Sequence, residues 1–113
     1  MDARRGRELV AAERRRIEQA LGDLDEAERE RELSDEDQPP DQDTDLTELE
    51  YQETSRDELE RELAALERAE ARLAAGTYGR SVESGKPIPD ERLEAEPLAE
   101  LTIEEERRFE GAA

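Results

Sequence analysis

Two apolar lines, each repeating every seven residues and separated by a pair of prolines, constrain this chain more than any other feature of it. Val10, Ile17 and Leu24 form the first, with Leu21 on the same side and Ala20 and Ala27 widening the stripe. Leu59, Leu66 and Leu73 form the second, and Ala69 keeps it apolar. A parallel line through Leu49 and Leu63 is imperfect, because Arg56 lies between them and Glu70 follows. A seven-residue apolar repeat keeps one side of a helix turned toward a partner helix. Each seam is too narrow to hold a lone helix in water. The two runs therefore need each other.

Glu, Arg, Leu and Ala fill both runs, and all four are good helix formers. The first helix is expected over about residues 2–33, with Gly22 as its weak point at a cost of about 1 kcal/mol against Ala. Residues 34–44 break the pattern. Pro39-Pro40 cannot continue a helix and pushes the preceding residue toward extended geometry. The acids around the prolines make this an acidic tip. A second helix is expected over 45–75, opened by Asp45-Leu46-Thr47-Glu48, which has capping-box spacing, and closed by Gly76. The expected architecture is mainly α: an antiparallel coiled-coil hairpin over residues 1–75 and a small base over 76–113.

The base is rich in turns, with Gly79, Gly85, Pro87 and Pro89. Tyr78, Val82, Ile88, Leu93, Leu98, Leu101, Ile103 and Phe109 are its large apolar residues and are expected to cluster against the long helices. A short last helix is expected over about Ile103 to Phe109, with the terminal Gly-Ala-Ala frayed.

Composition narrows the function. Of the 113 residues 46% are charged and 33% hydrophobic, with one Phe, two Tyr and no Trp, which suits long solvated helices or disorder. The apolar periodicity decides for helices. The net charge of -18 opposes direct DNA binding, which draws its affinity from Lys and Arg at phosphates. It favours a cationic or metal-containing surface on a partner. There is no cysteine and no histidine, so disulfides and Cys/His zinc ligation are both excluded. The carboxylates match no EF-hand loop or other fixed constellation for a hard cation. No run is long enough to span a membrane, no apolar segment follows the basic start, and a cytoplasmic location is the expectation. With no cysteine or histidine nucleophile and no phosphate-binding glycine loop, an enzyme is not expected.

Gly76 to Glu105 reads G-T-Y-G-R-S-V-E-S-G-K-P-I-P-D-E-R-L-E-A-E-P-L-A-E-L-T-I-E-E. This stretch resembles the C-terminal finger of the DksA/TraR family. The match runs through Tyr78-Gly79, Gly85, Pro87-Ile88-Pro89, Arg92-Leu93-Glu94-Ala95, Pro97 and Ala99. The resemblance implies a bacterial transcription regulator that binds RNA polymerase through its secondary channel. It also implies a finger holding one zinc on four cysteines. Those positions here are Ser81, Ser84, Thr102 and Glu105, so the zinc is expected to be absent and the base metal-free. Thr102 and Glu105 have capping-box spacing, and the hydroxyls of Ser81 and Ser84 suit turn N–H groups. Local hydrogen bonds are the expected replacement for the metal.

The family's tip carries Asp-x-x-Asp-x-Ala near the catalytic magnesium. No register fits fully here. The preferred one puts Asp45 at the second aspartate, Gln42 at the first and Thr47 at the alanine, with Asp43 alongside. Asp43, Asp45, Thr47 and Arg92 are the candidate partner-binding residues. Arg80 and Lys86 join Arg92 at the base, and the alternative for Arg92 is an ion pair with Glu94 or Glu96. A non-catalytic coiled-coil adaptor or stress-related protein, without the polymerase role, is the competing function. A monomer is expected, with a dimer through the leucine seams as the alternative.

Overall fold

The computed structural model describes residues 1–35 and 42–112, with the side chains of 1–33 and 54–111. Among these residues it contains four helices: α1 (Ala3–Asp35), α2 (Gln42–Ala75), α3 (Asp90–Ala95) and α4 (Ile103–Ala112). No strand forms among them, and Arg80 and Pro87 make an isolated antiparallel bridge. No described helix is long and apolar enough to cross a membrane.

The chain divides into two compact units, residues 14–64 and residues 1–13 with 65–113. In the first, α1 and α2 run antiparallel, because rising numbers on one meet falling numbers on the other. Arg16 Nη2 reaches Glu62 Oε1 at 3.3 Å. Arg56 Nη2 reaches Asp25 Oδ1 at 2.6 Å and Glu28 Oε2 at 2.9 Å. Arg56, which interrupts the parallel line through Leu49 and Leu63, thus ties the two helices together. Ile17 is fully buried, while Leu21, Leu24, Leu59 and Leu63 are half-buried. The seam is as narrow as its spacing implies.

In the second unit the start of α1 lies beside the end of α2, where a Cβ at Gly6 would stand 3.3 Å from Leu73 Cδ2. At Gly6 the α1 backbone lies against the ring of Tyr78, so that a Cβ there would stand 2.7 Å from Tyr78 Cδ1. α2 ends at Gly76 with φ 76, a left-handed value that glycine adopts without strain. The Thr77 N–H donates to the Arg72 carbonyl at 2.9 Å and the Gly76 N–H to the Leu73 carbonyl at 3.2 Å, the two bonds of a Schellman stop. Val10, Leu66, Ala69, Ile88 and Leu93 form the core of this unit.

Three expectations need correction. The second helix starts at Gln42, ahead of Asp45. A proline restrains itself and the residue before it, so nothing after Pro40 bars a helix, and acids suit its positive first turn. Asp45 therefore lies inside the helix and does not cap it. The turn residues 36–41, with Pro39-Pro40, lie outside the described residues, as do the side chains of Leu49, Asp43, Asp45 and Thr47. Second, the apolar cluster of the base is smaller than expected, since Val82, Ile103 and Phe109 remain exposed. Third, α4 continues past Phe109 to Ala112.

Candidate functional site

The residues that stand at the four cysteine positions of the resembling finger come together around one carboxylate. Glu105 is 2% exposed and Ser81 4%. Thr102 precedes α4, and the Glu105 N–H donates to Thr102 Oγ1 at 3.2 Å. In return Glu105 Oε1 accepts the Thr102 N–H at 2.9 Å. This is the capping box implied by the T-x-x-E spacing: each side chain satisfies a backbone donor that the helix start leaves free.

The other carboxylate oxygen, Oε2, accepts the Ser81 hydroxyl at 2.9 Å. Ser81 Oγ in turn accepts the N–H groups of Glu83 at 3.1 Å and Ser84 at 3.2 Å. Ser84 Oγ accepts the Lys86 N–H at 3.3 Å. The turn is closed by the Ser81 N–H on the Lys86 carbonyl at 2.8 Å, and the Ile88 N–H on the Gly79 carbonyl at 2.8 Å. The Val82 N–H donates to the Glu100 carbonyl at 2.9 Å, joining this turn to the segment before α4. A single buried carboxylate thus binds two segments far apart in sequence.

Charge on that carboxylate is favoured by its donors. The Thr102 backbone N–H, followed by the Ser81 hydroxyl, lowers the Glu105 pKa to about 2 against the opposing effect of burial. The group stays ionised over the whole physiological range.

These residues do not fit a zinc ion. Zinc in such a finger takes thiolate or imidazole ligands at about 2.0–2.3 Å. Here three of the four positions are hydroxyls, and both oxygens of the fourth are occupied by hydrogen bonds. Among the described residues no group of three or more potential ligands stands together.

The R-L-E-A motif forms α3, a helix that the sequence reading did not anticipate. Asp90 and Glu91 occupy its first turn behind Pro89, a start signal visible in the sequence. Three of its four members have an internal task. Leu93 is fully buried. Glu94 accepts Arg5 Nε at 2.7 Å and Nη2 at 2.5 Å, which fastens α3 to the start of α1 and lowers the Glu94 pKa. Arg92 donates from Nε to the Leu101 carbonyl at 3.0 Å and pairs with Glu106 at 2.8 Å and Glu96 at 3.3 Å. Of its two sequence alternatives, the ion pair with Glu96 forms, and Glu94 belongs to Arg5. Tyr78 closes the same region, its hydroxyl donating to the Pro97 carbonyl at 2.7 Å.

Nothing in the sequence points to Arg5, whose partner lies 89 residues away, and the only signal for Gly6 is a glycine in a helix of good formers. Arg80 and Lys86 lie on the exposed side of the turn. Asp43 and Asp45 fall in the first turn of α2, with Thr47 just beyond.

Taken together, two long helices paired antiparallel, with a small base in which hydrogen-bonding side chains stand where cysteines would hold zinc, define a class of helical protein. No family model and no curated protein matches the sequence. Among solved structures, that of transcription factor DksA2 from Pseudomonas aeruginosa is similar. The identity is 31% and the TM-score 0.65, over 99% of this chain and 88% of that one. The chain belongs to the DksA family.

Proposed function

We propose that this protein is a transcription regulator that binds RNA polymerase through its secondary channel, with the acidic start of α2 presented to the catalytic centre. The observation that carries the reading is a likeness to a transcription factor of the family that extends over 99% of the chain, both long helices included. The mechanism is steric and electrostatic. Asp43 and Asp45, in the first turn of α2, bring negative charge toward a magnesium-bearing centre, and Thr47 stands where the family has a small residue. At the base the exposed cations Arg80 and Lys86 make the first contact with the polymerase. Arg92 acts there through Glu96, Glu106 and the Leu101 carbonyl, which it holds in place.

A second reading rests on the tip. No register of Asp41 to Thr47 reproduces the aspartate spacing of the family. An adaptor that uses a helix face would tolerate changes there.

Binding to core RNA polymerase at moderate salt, followed by transcription assays, tests the proposal. The native protein is expected to bind and to alter transcription. The Asp43→Asn/Asp45→Asn double variant is expected to bind and have little effect. Failure of the native protein to bind, in a sample shown to be helical by circular dichroism, overturns the proposal and favours the adaptor.

A further inference from the structure

The base carries a groove of about 500 Å³ between the turn that follows Ser81, the segment joining α3 to α4, and the outer face of α4. We propose that it docks an apolar segment of a partner protein that is flanked by lysine or arginine. The proposal is separate from polymerase binding through the tip and does not depend on it.

Its floor is apolar. Val82 and Phe109 are each 56% exposed and both line the groove, as do the half-buried Leu98 and Leu101. Elsewhere in this unit the described large apolar residues are buried or half-buried, apart from Ile103. Solvent-facing apolar residues gathered in a concavity, as opposed to scattered singly, mark an interaction site. A volume of this order falls within the range of roughly 300–1,000 Å³ typical of concave binding sites.

The rim sets the charge of the occupant. Glu83, Glu96, Glu100 and Glu106 also line the groove, and Arg92 is the only cation among the lining residues. Arg92 is not available to an anion. Its side chain is 11% exposed, and Glu96 and Glu106 hold its guanidinium. Glu100 is paired with Arg68 at 2.7 Å. Glu83, whose backbone N–H donates to Ser81 Oγ at 3.1 Å, makes no side-chain ion pair among the described residues. An anionic ligand would have to displace two carboxylates and would then face a third. A lysine or arginine beside an apolar anchor meets Glu83 directly, and the net charge of -18 draws it in.

Fluorescence anisotropy with a labelled peptide, Lys-Arg-Leu-Phe-Leu-Arg-Lys, tests this at moderate salt. Its counterpart Glu-Glu-Leu-Phe-Leu-Glu-Glu and inorganic pyrophosphate are the controls. Saturable binding of the basic peptide is expected, at least ~10-fold weaker on the Val82→Ser/Phe109→Ser variant and about 3-fold weaker on Glu83→Gln. Both apolar positions are exposed, so the variant keeps its helical circular dichroism. Equal binding of the basic peptide to native protein and double variant would reduce the effect to general attraction by an acidic surface and overturn the proposal. Binding of the acidic peptide, or displacement of the basic one by pyrophosphate, would overturn the charge assignment. A dimer in sedimentation equilibrium that Phe109→Ser dissolves would assign the groove to a second copy of this chain instead.

Discussion

Among the described side chains of residues 14–64, Ile17 is the one that is buried, and arginine–carboxylate pairs span the two helices above and below it. The unit of residues 1–13 and 65–113 buries Val10, Leu66 and Ala69 of the helix ends with Ile88 and Leu93 of the base, and adds a buried serine and glutamate joined by a hydrogen bond. The two regions therefore respond differently to change. The helical pair depends on a repeating pattern in which any one residue has modest weight. The base depends on particular atoms meeting, above all the donors gathered around Glu105. A family member that lacks zinc ligands can keep its base only if such specific contacts hold it.

Deleting one core side chain in each region is the strongest test of that contrast. Leu93→Ala in the fully buried core of the base is expected to cost about 2–5 kcal/mol, as large-to-small changes at closed sites do. Leu59→Ala, at a half-buried seam position, is expected to cost less than half as much because water already reaches the site. Urea unfolding followed by circular dichroism measures both. Equal losses would break the comparison.

The second test addresses the carboxylate. Glu105→Gln removes the charge that the Thr102 N–H and Ser81 hydroxyl stabilise, and puts an amide donor or acceptor where two acceptors are needed. A fall in Tm of roughly 5–10 °C at neutral pH is expected. The pH dependence has a fixed sign. The folded-state pKa of about 2 lies below the ordinary 4.5, so the stabilisation is complete above about 4.5 and is lost as pH falls toward 2. The Tm difference between native protein and variant should therefore shrink over that window. A constant difference down to the lowest pH would show that the charge is not what holds the base.

The polar contacts of the base show what the sequence could and could not convey. The Thr102–Glu105 box was legible because it is local: four consecutive residues define both of its bonds. That Ser81 would donate to the same carboxylate was not legible, since the partner lies 24 residues away and only the folded turn brings it there. The same holds for Arg5 and Glu94. The long helices were legible from their seven-residue repeat, yet the start of α2 was placed too late, because acids that suit a cap suit a first turn equally well. α3 is not legible because a six-residue helix of mixed charge and apolar character shows too little periodicity to stand out. For Arg92 the sequence offers a surface contact or an ion pair with Glu94 or Glu96, and the fold takes up its guanidinium with Glu96, Glu106 and the Leu101 carbonyl.

Removing the cross-helix ties of residues 14–64 should do less than either change in the base. Arg56→Gln loses the pairs to Asp25 and Glu28, both on partly exposed side chains. A fall in Tm of roughly 2–4 °C at low salt is expected, shrinking as salt is raised, since screening weakens such pairs. A loss as large as that of Glu105→Gln, unchanged by salt, would mean that Arg56 serves the seam by packing and not by charge.

The smallest expected effect sets two helical glycines against each other. Gly22 lies in α1 within residues 14–64, and a Cβ added there meets no atom within 4 Å. Gly22→Ala should stabilise by about 0.5–1 kcal/mol, because alanine loses less backbone freedom on folding and makes no clash. Gly6 lies in the same helix within the base unit, where the added Cβ would approach Tyr78 Cδ1 to 2.7 Å. Gly6→Ala has the same intrinsic gain and must also move a ring whose hydroxyl is anchored on Pro97, so its net effect should have the opposite sign. Urea midpoints of the two variants, read beside the native protein, decide the matter. Two gains would mean that the base yields to a methyl group as easily as the open helix does, and that Tyr78 is not a fixed part of it.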